Sequence, residues 1–332
     1  MSRNRQLGAI GTAAVLLGLA CGRPLDLPQE PDTTGHPLGE VAYVRKYLWE
    51  GLGRIDDLVL TGGLVLYGVE DSARVQCWFS DTVTPRLNPG RSIPPIVTVD
   101  GDTLRGPVRI CEGANNTLWV AYRAPRPTIV QWDIAVVPPA KVDSGVVRDD
   151  SIQVFGGIAA DPDSGYLYVA DAGRSRIGKY APSATGGRRI ALLATQGNGD
   201  HFVQQPQGIF FFQDSLLVAD TGKGWIQVLG ADVPLSGRGQ VTGPEDARLI
   251  LQSPLDVWVD ALGMFYVVDT GGGRTLQLDV QGAIEEIVTE FDTDPAPAPN
   301  TLAATAEEVW VVDPDGGRLS IYLINTATEE LP

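Results

Sequence analysis

The stretch Gly165–Tyr180, GYLYVADAGRSRIGKY, constrains the fold more than any other, because three further copies follow it: SLLVADTGKGWIQVL from Ser215, MFYVVDTGGGRTLQL from Met264 and EVWVVDPDGGRLSIY from Glu308. Each copy is an apolar run closing on an Asp, then a Gly-containing turn, then a second short apolar run. The closing carboxylates, Asp171, Asp220, Asp269 and Asp313, recur at intervals of 49, 49 and 44 residues. The offsets behind them are fixed too: Ile177, Ile226, Thr275 and Leu319 stand six residues on, and Tyr180, Leu229, Leu278 and Tyr322 nine residues on. The runs LYVAD, LLVAD, FYVVD and VWVVD are apolar at nearly every position, where a half-exposed strand would alternate, so these strands are buried on both faces. A period of this length built from short doubly buried strands predicts propeller blades, each a twisted four-stranded sheet stacked between two neighbours.

The element ahead of each anchor repeats as well. PQGIFFF from Pro206, SPLDVWVD from Ser253 and PNTLAAT from Pro299 place a Pro three residues before Ile209, Val257 and Leu302. This predicts an innermost strand entered through a turn whose φ the Pro pre-sets. The same spacing finds two weaker upstream copies, with Ile110 ahead of Tyr122 and Leu58 ahead of Val69 at the anchor position. The expectation is an all-β, six-bladed propeller over residues 41–324. Leu319–Ile324 completes only a third strand of the last blade, and the following residues 325–332 are a polar tail. The segment from Val41 to Leu48 therefore supplies the missing outer strand and closes the ring, which removes exposed sheet edges.

The segment TQGNGDHFVQQPQGIFFFQDSLLVADTGKGWIQVL resembles an NHL repeat through Phe202, Pro206, Gly208, Ile209, Asp220, Thr221, Gly222 and Ile226. The resemblance runs clearly from Asp150 to Tyr322 and by spacing alone from Arg54 to Asp133. It implies an NHL-like propeller. Enzymes of this class that amidate peptides, and lactonase propellers, use several His or a carboxylate-rich calcium centre. This chain has only His36 and His201.

The N-terminus carries Arg3 and Arg5, an apolar stretch from Leu7 to Ala20, and then Cys21. That is a secretory signal over residues 1–20, too short to span a bilayer. LLGLAC resembles a bacterial lipobox, which implies acylation of Cys21 and a cell-envelope location, on the outer membrane, its periplasmic side or the cell surface. Ordinary signal peptidase would also accept Gly18 and Ala20, which leaves a secreted or periplasmic soluble protein as the alternative. Residues 21–40 are Pro-rich and aperiodic and read as a tether. Acylating Cys21 leaves Cys77 and Cys111, either as a disulfide or as two buried thiols. A net charge of −16 disfavours nucleic acid and broad contact with anionic lipid. Membrane contact is thus expected through the N-terminal lipid only.

Candidate site residues fall into two groups. Arg174, Arg176, Lys223, Arg274 and Arg318 lie in the hairpin turns that follow the anchors, with Trp225 taking the place of the turn Arg in its repeat. They define a rim of forked donors for a carboxylate-bearing partner, or else they pair with their own anchor Asp. The anchors themselves read as turn-capping groups, because copies spread around a ring do not converge on one ion. Asp57, Arg109 and Asp256 precede the inner-strand apolar position and are placed to face the channel mouth, where they would take a small polar ligand. The pattern calls for no cofactor and no metal. The leading expectation is a non-catalytic binder of an envelope protein, peptide or glycan; a metal-dependent lactonase or lyase and a structural subunit of an envelope complex are the alternatives.

Overall fold

A computed structural model describes residues 43–62, 65–79, 86–95, 97–197, 202–231, 237–241, 251–278, 284–288, 298–315 and 317–324. The signal, Cys21, the tether, His201 and the polar tail lie outside these. The described chain is nearly all β, with two short 3-10 turns at Ala172–Arg174 and Thr270–Gly272.

Among the described residues the strands form six sheets. The first contains Ile55–Thr61, Val65–Glu70, Arg74–Phe79 and Arg86–Leu87, and the second begins with Val97–Val99 and the long strand Asp102–Gly113 and ends with Ala140–Arg148. The third opens on Phe155–Ala160, the fourth on Pro206–Phe212 and the fifth on Pro254–Val259. The sixth runs Thr301–Ala304, Glu308–Asp313, Arg318–Ile324 and then back to Tyr43–Trp49, whose register with the last strand runs from Tyr43 opposite Ile324 to Trp49 opposite Leu319.

Packing explains the apolar runs. Leu167, Val169, Leu217, Val267 and Val309 are fully buried, and six apolar clusters lie between successive sheets among the described residues. One joins the sixth sheet to the first, through Trp310, Val312 and Ile321 against Ile55, Leu60 and Trp78. Every central strand meets two such clusters, so its alternate side chains face opposite sheets and both sets must be apolar.

One open alternative is decided here and one expectation is corrected. Cys77 and Cys111 are free thiols. Cys77 packs between the first and second sheets, whereas Cys111 points from the other face of the second sheet toward the third, because strand alternation turns it away from its neighbour Ile110. In the first sheet the anchor position belongs to Glu70 rather than Val69: Glu70 is registered opposite Ile55 and Arg74, as Asp171 is opposite Phe155 and Arg176.

Candidate functional site

The anchors are local organisers. Asp171 Oδ1 accepts the backbone N–H groups of Gln153 and Val154 at 3.1 and 3.2 Å, and Asp269 Oδ1 those of Gln252 and Ser253 at 2.9 and 2.8 Å. Each therefore caps the loop leading into the inner strand of its own sheet. The other carboxylate oxygen takes the turn Arg: Arg176 to Asp171 at 3.0 Å, Arg274 to Asp269 at 3.1 Å, Arg318 to Asp313 at 2.8 Å. Glu70 and Arg74 repeat the pair at 2.7 Å in the first sheet. The residue after the anchor reaches outward: Thr221 and Thr270 donate to the carbonyls of Pro254 and Pro299, each at the start of the next sheet, at 2.5 Å. The Asp-Thr-Gly turn thus stitches neighbouring sheets.

This geometry removes most of the expected basic rim. The guanidinium groups of Arg176, Arg274 and Arg318 are committed within their own hairpins, and the buried Lys223 ammonium donates to the Phe202 carbonyl at 2.6 Å and lies 5.0 Å from the Trp225 ring. Trp225 is half-buried under that contact. Arg174 alone of the set is exposed and has no partner among the described residues. With Trp225 in the place of the turn Arg, Asp220 Oδ2 is buried without a hydrogen bond, and burial pushes the Asp220 carboxyl up to about 6.

The second group does converge. In five sheets the register of the inner strand shifts just before the axial residue, between Ile55 and Asp57, Pro107 and Arg109, Phe155 and Gly157, Pro206 and Ile209, and Pro254 and Asp256. Such a bulge re-aims the next side chain, here toward the axis. Asp57 Oδ1 accepts the N–H of Leu58 at 3.1 Å, and Oδ2 that of Ile110 in the second sheet at 2.8 Å. Asp256 copies the arrangement, with Oδ1 taking Val257 N–H at 2.9 Å and Oδ2 taking Leu302 N–H in the sixth sheet at 3.3 Å. Thr301 lies between the two, its hydroxyl 2.8 Å from Asp256 Oδ2 and 3.3 Å from Asp57 Oδ1. Arg109 donates from Nε to the Gly156 carbonyl in the third sheet and from Nη1 to Val108 O at 2.8 Å. Asn300 donates to the carbonyls of Ile55 and Asp56 at 3.0 and 3.3 Å.

Asp57, Arg109 and Asp256 line one axial cavity of about 410 Å³. Exposed Arg54 and its partner Asp56, 2.8 Å away, line the same cavity, as do Glu112, Phe210 and Trp258. The rings of Phe210 and Trp258 are 4.9 Å apart, and the Trp258 indole N–H is tied to Ala304 O at 2.9 Å. Burial raises the Asp57 carboxyl, with Arg109 opposing it. Burial followed by the neighbouring Asp57 charge pushes Asp256 up to about 7. Among the described residues no group of three or more His, Cys, Asp or Glu converges to hold a metal ion, and the two axial carboxylates with a guanidinium beside them are a poor donor set for calcium. The place of Thr301 between the two carboxylates was not legible in the sequence, since it depends on which sheets meet across the axis.

No family model matches the chain, and no curated protein matches it in sequence. Solved structures do. A structural genomics protein of unknown function from Bacteroides thetaiotaomicron is 16% identical with a TM-score of 0.58, over 82% of this chain and 70% of that one. Virginiamycin B lyase from Staphylococcus aureus is 13% identical with a TM-score of 0.53, over 83% and 99%. The PQQ-bound aldose sugar dehydrogenase from Streptomyces coelicolor is 14% identical with a TM-score of 0.53, over 85% and 97%. At these identities the likeness carries the fold alone: the chain is a β-propeller.

Proposed function

We propose that this protein is a six-bladed, NHL-like propeller, its ring closed by the N-terminal strand, tethered through an acylated Cys21 to the bacterial envelope, and that it is a non-catalytic binder of a protein, peptide or glycan. Ring closure is supported by the apolar cluster joining the sixth sheet to the first and by the pairing of Tyr43–Trp49 with Arg318–Ile324. The observation that carries the binding reading is the open axial cavity, because it is where charged side chains from different sheets converge while the repeated turn residues serve the scaffold. The binding face is therefore the channel mouth and the turns around it, with the exposed Arg174 among them. Gentle detergent extraction of native membranes, capture on the tagged full chain and mass spectrometry test the reading. A partner lost on Arg54→Glu or Arg174→Glu and retained on a distant surface change supports it; equal capture by all variants overturns it.

An enzyme is the second reading, favoured by the paired axial carboxylates: burial and the Asp57 charge push Asp256 up to about 7, the range in which general acids and bases work. The neighbours named as a lyase and a dehydrogenase lend it only their fold. A metal-dependent version finds no fitting donor set among the described residues. Elemental analysis of purified protein, with melting in the presence and absence of calcium, separates the readings: bound metal lost on Asp57→Ala or Asp256→Ala would favour the enzyme.

A further inference from the structure

With both groups ionised, the axial carboxylates are short of one donor. The Thr301 hydroxyl has a single proton, and at 2.8 Å it goes to Asp256 Oδ2, so the 3.3 Å approach of the same oxygen to Asp57 Oδ1 sets lone pairs against lone pairs. The charges are unequal as well: two carboxylates face one guanidinium. Arg109 does not swing in to bridge them, because Nε and Nη1 hold the carbonyls of Gly156 and Val108. The remaining groups around the pair do not restore the balance. At the mouth Arg54 is matched by Asp56. Burial keeps the Cys111 thiol protonated and raises Glu112, which already accepts Gly62 N–H. The third and fourth sheets add only Gly156, Gly157 and Gly208 at this level. Beyond the carboxylates the lining turns apolar, through Ile158, Ile209, Phe210 and Trp258.

We infer that the axial cavity is a binding site for a primary ammonium group on a small apolar body, the ammonium donating to Asp57 and Asp256 beside Thr301 and the body lying against Phe210 and Trp258. An ammonium carries three N–H donors and one charge, which is what two partly satisfied carboxylates with a single guanidinium lack. The inference rests on the axial cavity being the binding site and does not depend on the envelope location. The ligand competes with the proton on Asp256. Below about pH 7 binding displaces that proton, so affinity climbs with pH by up to about tenfold per unit and levels off above.

The test is calorimetric titration of the full chain with phenethylamine, with N-acetylphenethylamine as its uncharged twin and 3-phenylpropionate as the anionic counterpart. Two buffers of different ionisation enthalpy count the protons. Saturable binding of the amine alone, release of up to one proton at pH 6 falling toward none at pH 8, and at least about thirtyfold weakening in Asp256→Asn are expected. Equal binding of the uncharged twin, no binding of the amine, or no proton release overturns the site. The proton count on wild type decides even if Asp256→Asn does not fold. Nα-acetyl-lysine amide tests whether a lysine side chain serves as well as a free amine. The two proposals fail separately: partner capture with no amine binding sinks the ammonium site and leaves the envelope binder, while amine binding without capture does the reverse.

Discussion

The hub of this propeller is built in two ways. Where the third, fourth and fifth sheets meet, the axial positions are Gly157 and Gly208, and backbone lies against backbone. A Cβ on Gly157 would stand 2.8 Å from Gln207 O and 2.9 Å from Ile209 N, and one on Gly208 would stand 2.2 Å from Asp256 Oδ1 and 2.7 Å from its Cα. From the fifth sheet through the sixth, first and second to the third, the same repeat position holds Asp256, Thr301, Asp57 and Arg109; Asp256, Asp57 and Arg109 each bond to the following sheet through a side chain, and the Thr301 hydroxyl stands 3.3 Å from Asp57 Oδ1. One position in the repeat thus does opposite jobs, absent where strands touch and polar where a gap must be bridged. The second solution leaves charged groups open to a cavity, so binding chemistry is concentrated on one side of the axis.

The comparison breaks if side chains are tolerated on the glycine side. Gly157→Ala has backbone on the receiving end of its clash and is expected to cost about 3 kcal/mol in denaturant unfolding. Next in size is the clasp. Asp57→Ala strands the amides of Leu58 and Ile110 and should cost about 3 kcal/mol, whereas Asp57→Asn, which keeps a carbonyl oxygen for one of them, should cost about half as much. Equal losses would mean that the clasp is only packing.

The pH dependence sharpens the contrast further. Asp256, at about 7, and Asp220, at about 6, hold protons in the folded state that an unfolded carboxyl releases near pH 4. The folded state therefore binds more protons between these values, and its stability is fully present near pH 4 and declines as pH rises to about 7, by up to about 1.4 kcal/mol per unit for each group. Melting midpoints from pH 4 to 8 should show that decline, and Asp256→Asn should flatten its upper part. A midpoint rising steadily from pH 4 to 7 would refute the assignment. The smallest effect belongs to the rim: Arg174→Glu should leave stability within about 0.5 kcal/mol, while Arg274→Glu, which sets two carboxylates together at a buried anchor, should cost about 2 kcal/mol.

Much of the architecture was legible because repetition is self-averaging. The runs ending at Asp171, Asp220, Asp269 and Asp313 are apolar at both strand faces, and only stacking between two sheets makes use of that. The upstream copies were less clear: at Glu70 the acid is one position from where spacing alone set it, since its Arg follows at four residues instead of five. The site was half legible. Asp57, Arg109 and Asp256 were found by repeat position, because a non-repeating polar residue inside a repeating element has to be explained. The basic turn residues were open to two readings, since sequence proximity of Arg176 to Asp171 fits pairing within the hairpin as well as an open rim, and only side-chain direction separates the two.

By itself the sequence determined a β-propeller and the places where its repeat is interrupted, because strand periodicity and turn chemistry are local properties read along the chain. Only the tertiary structure decided that Cys77 and Cys111 face opposite ways from neighbouring layers, that Thr301 stands between Asp57 and Asp256, and that the turn arginines are already paired. Each depends on which sheets meet and on how a bulge turns a side chain at the axis, over separations such as that between Asp57 and Thr301 that no local pattern encodes.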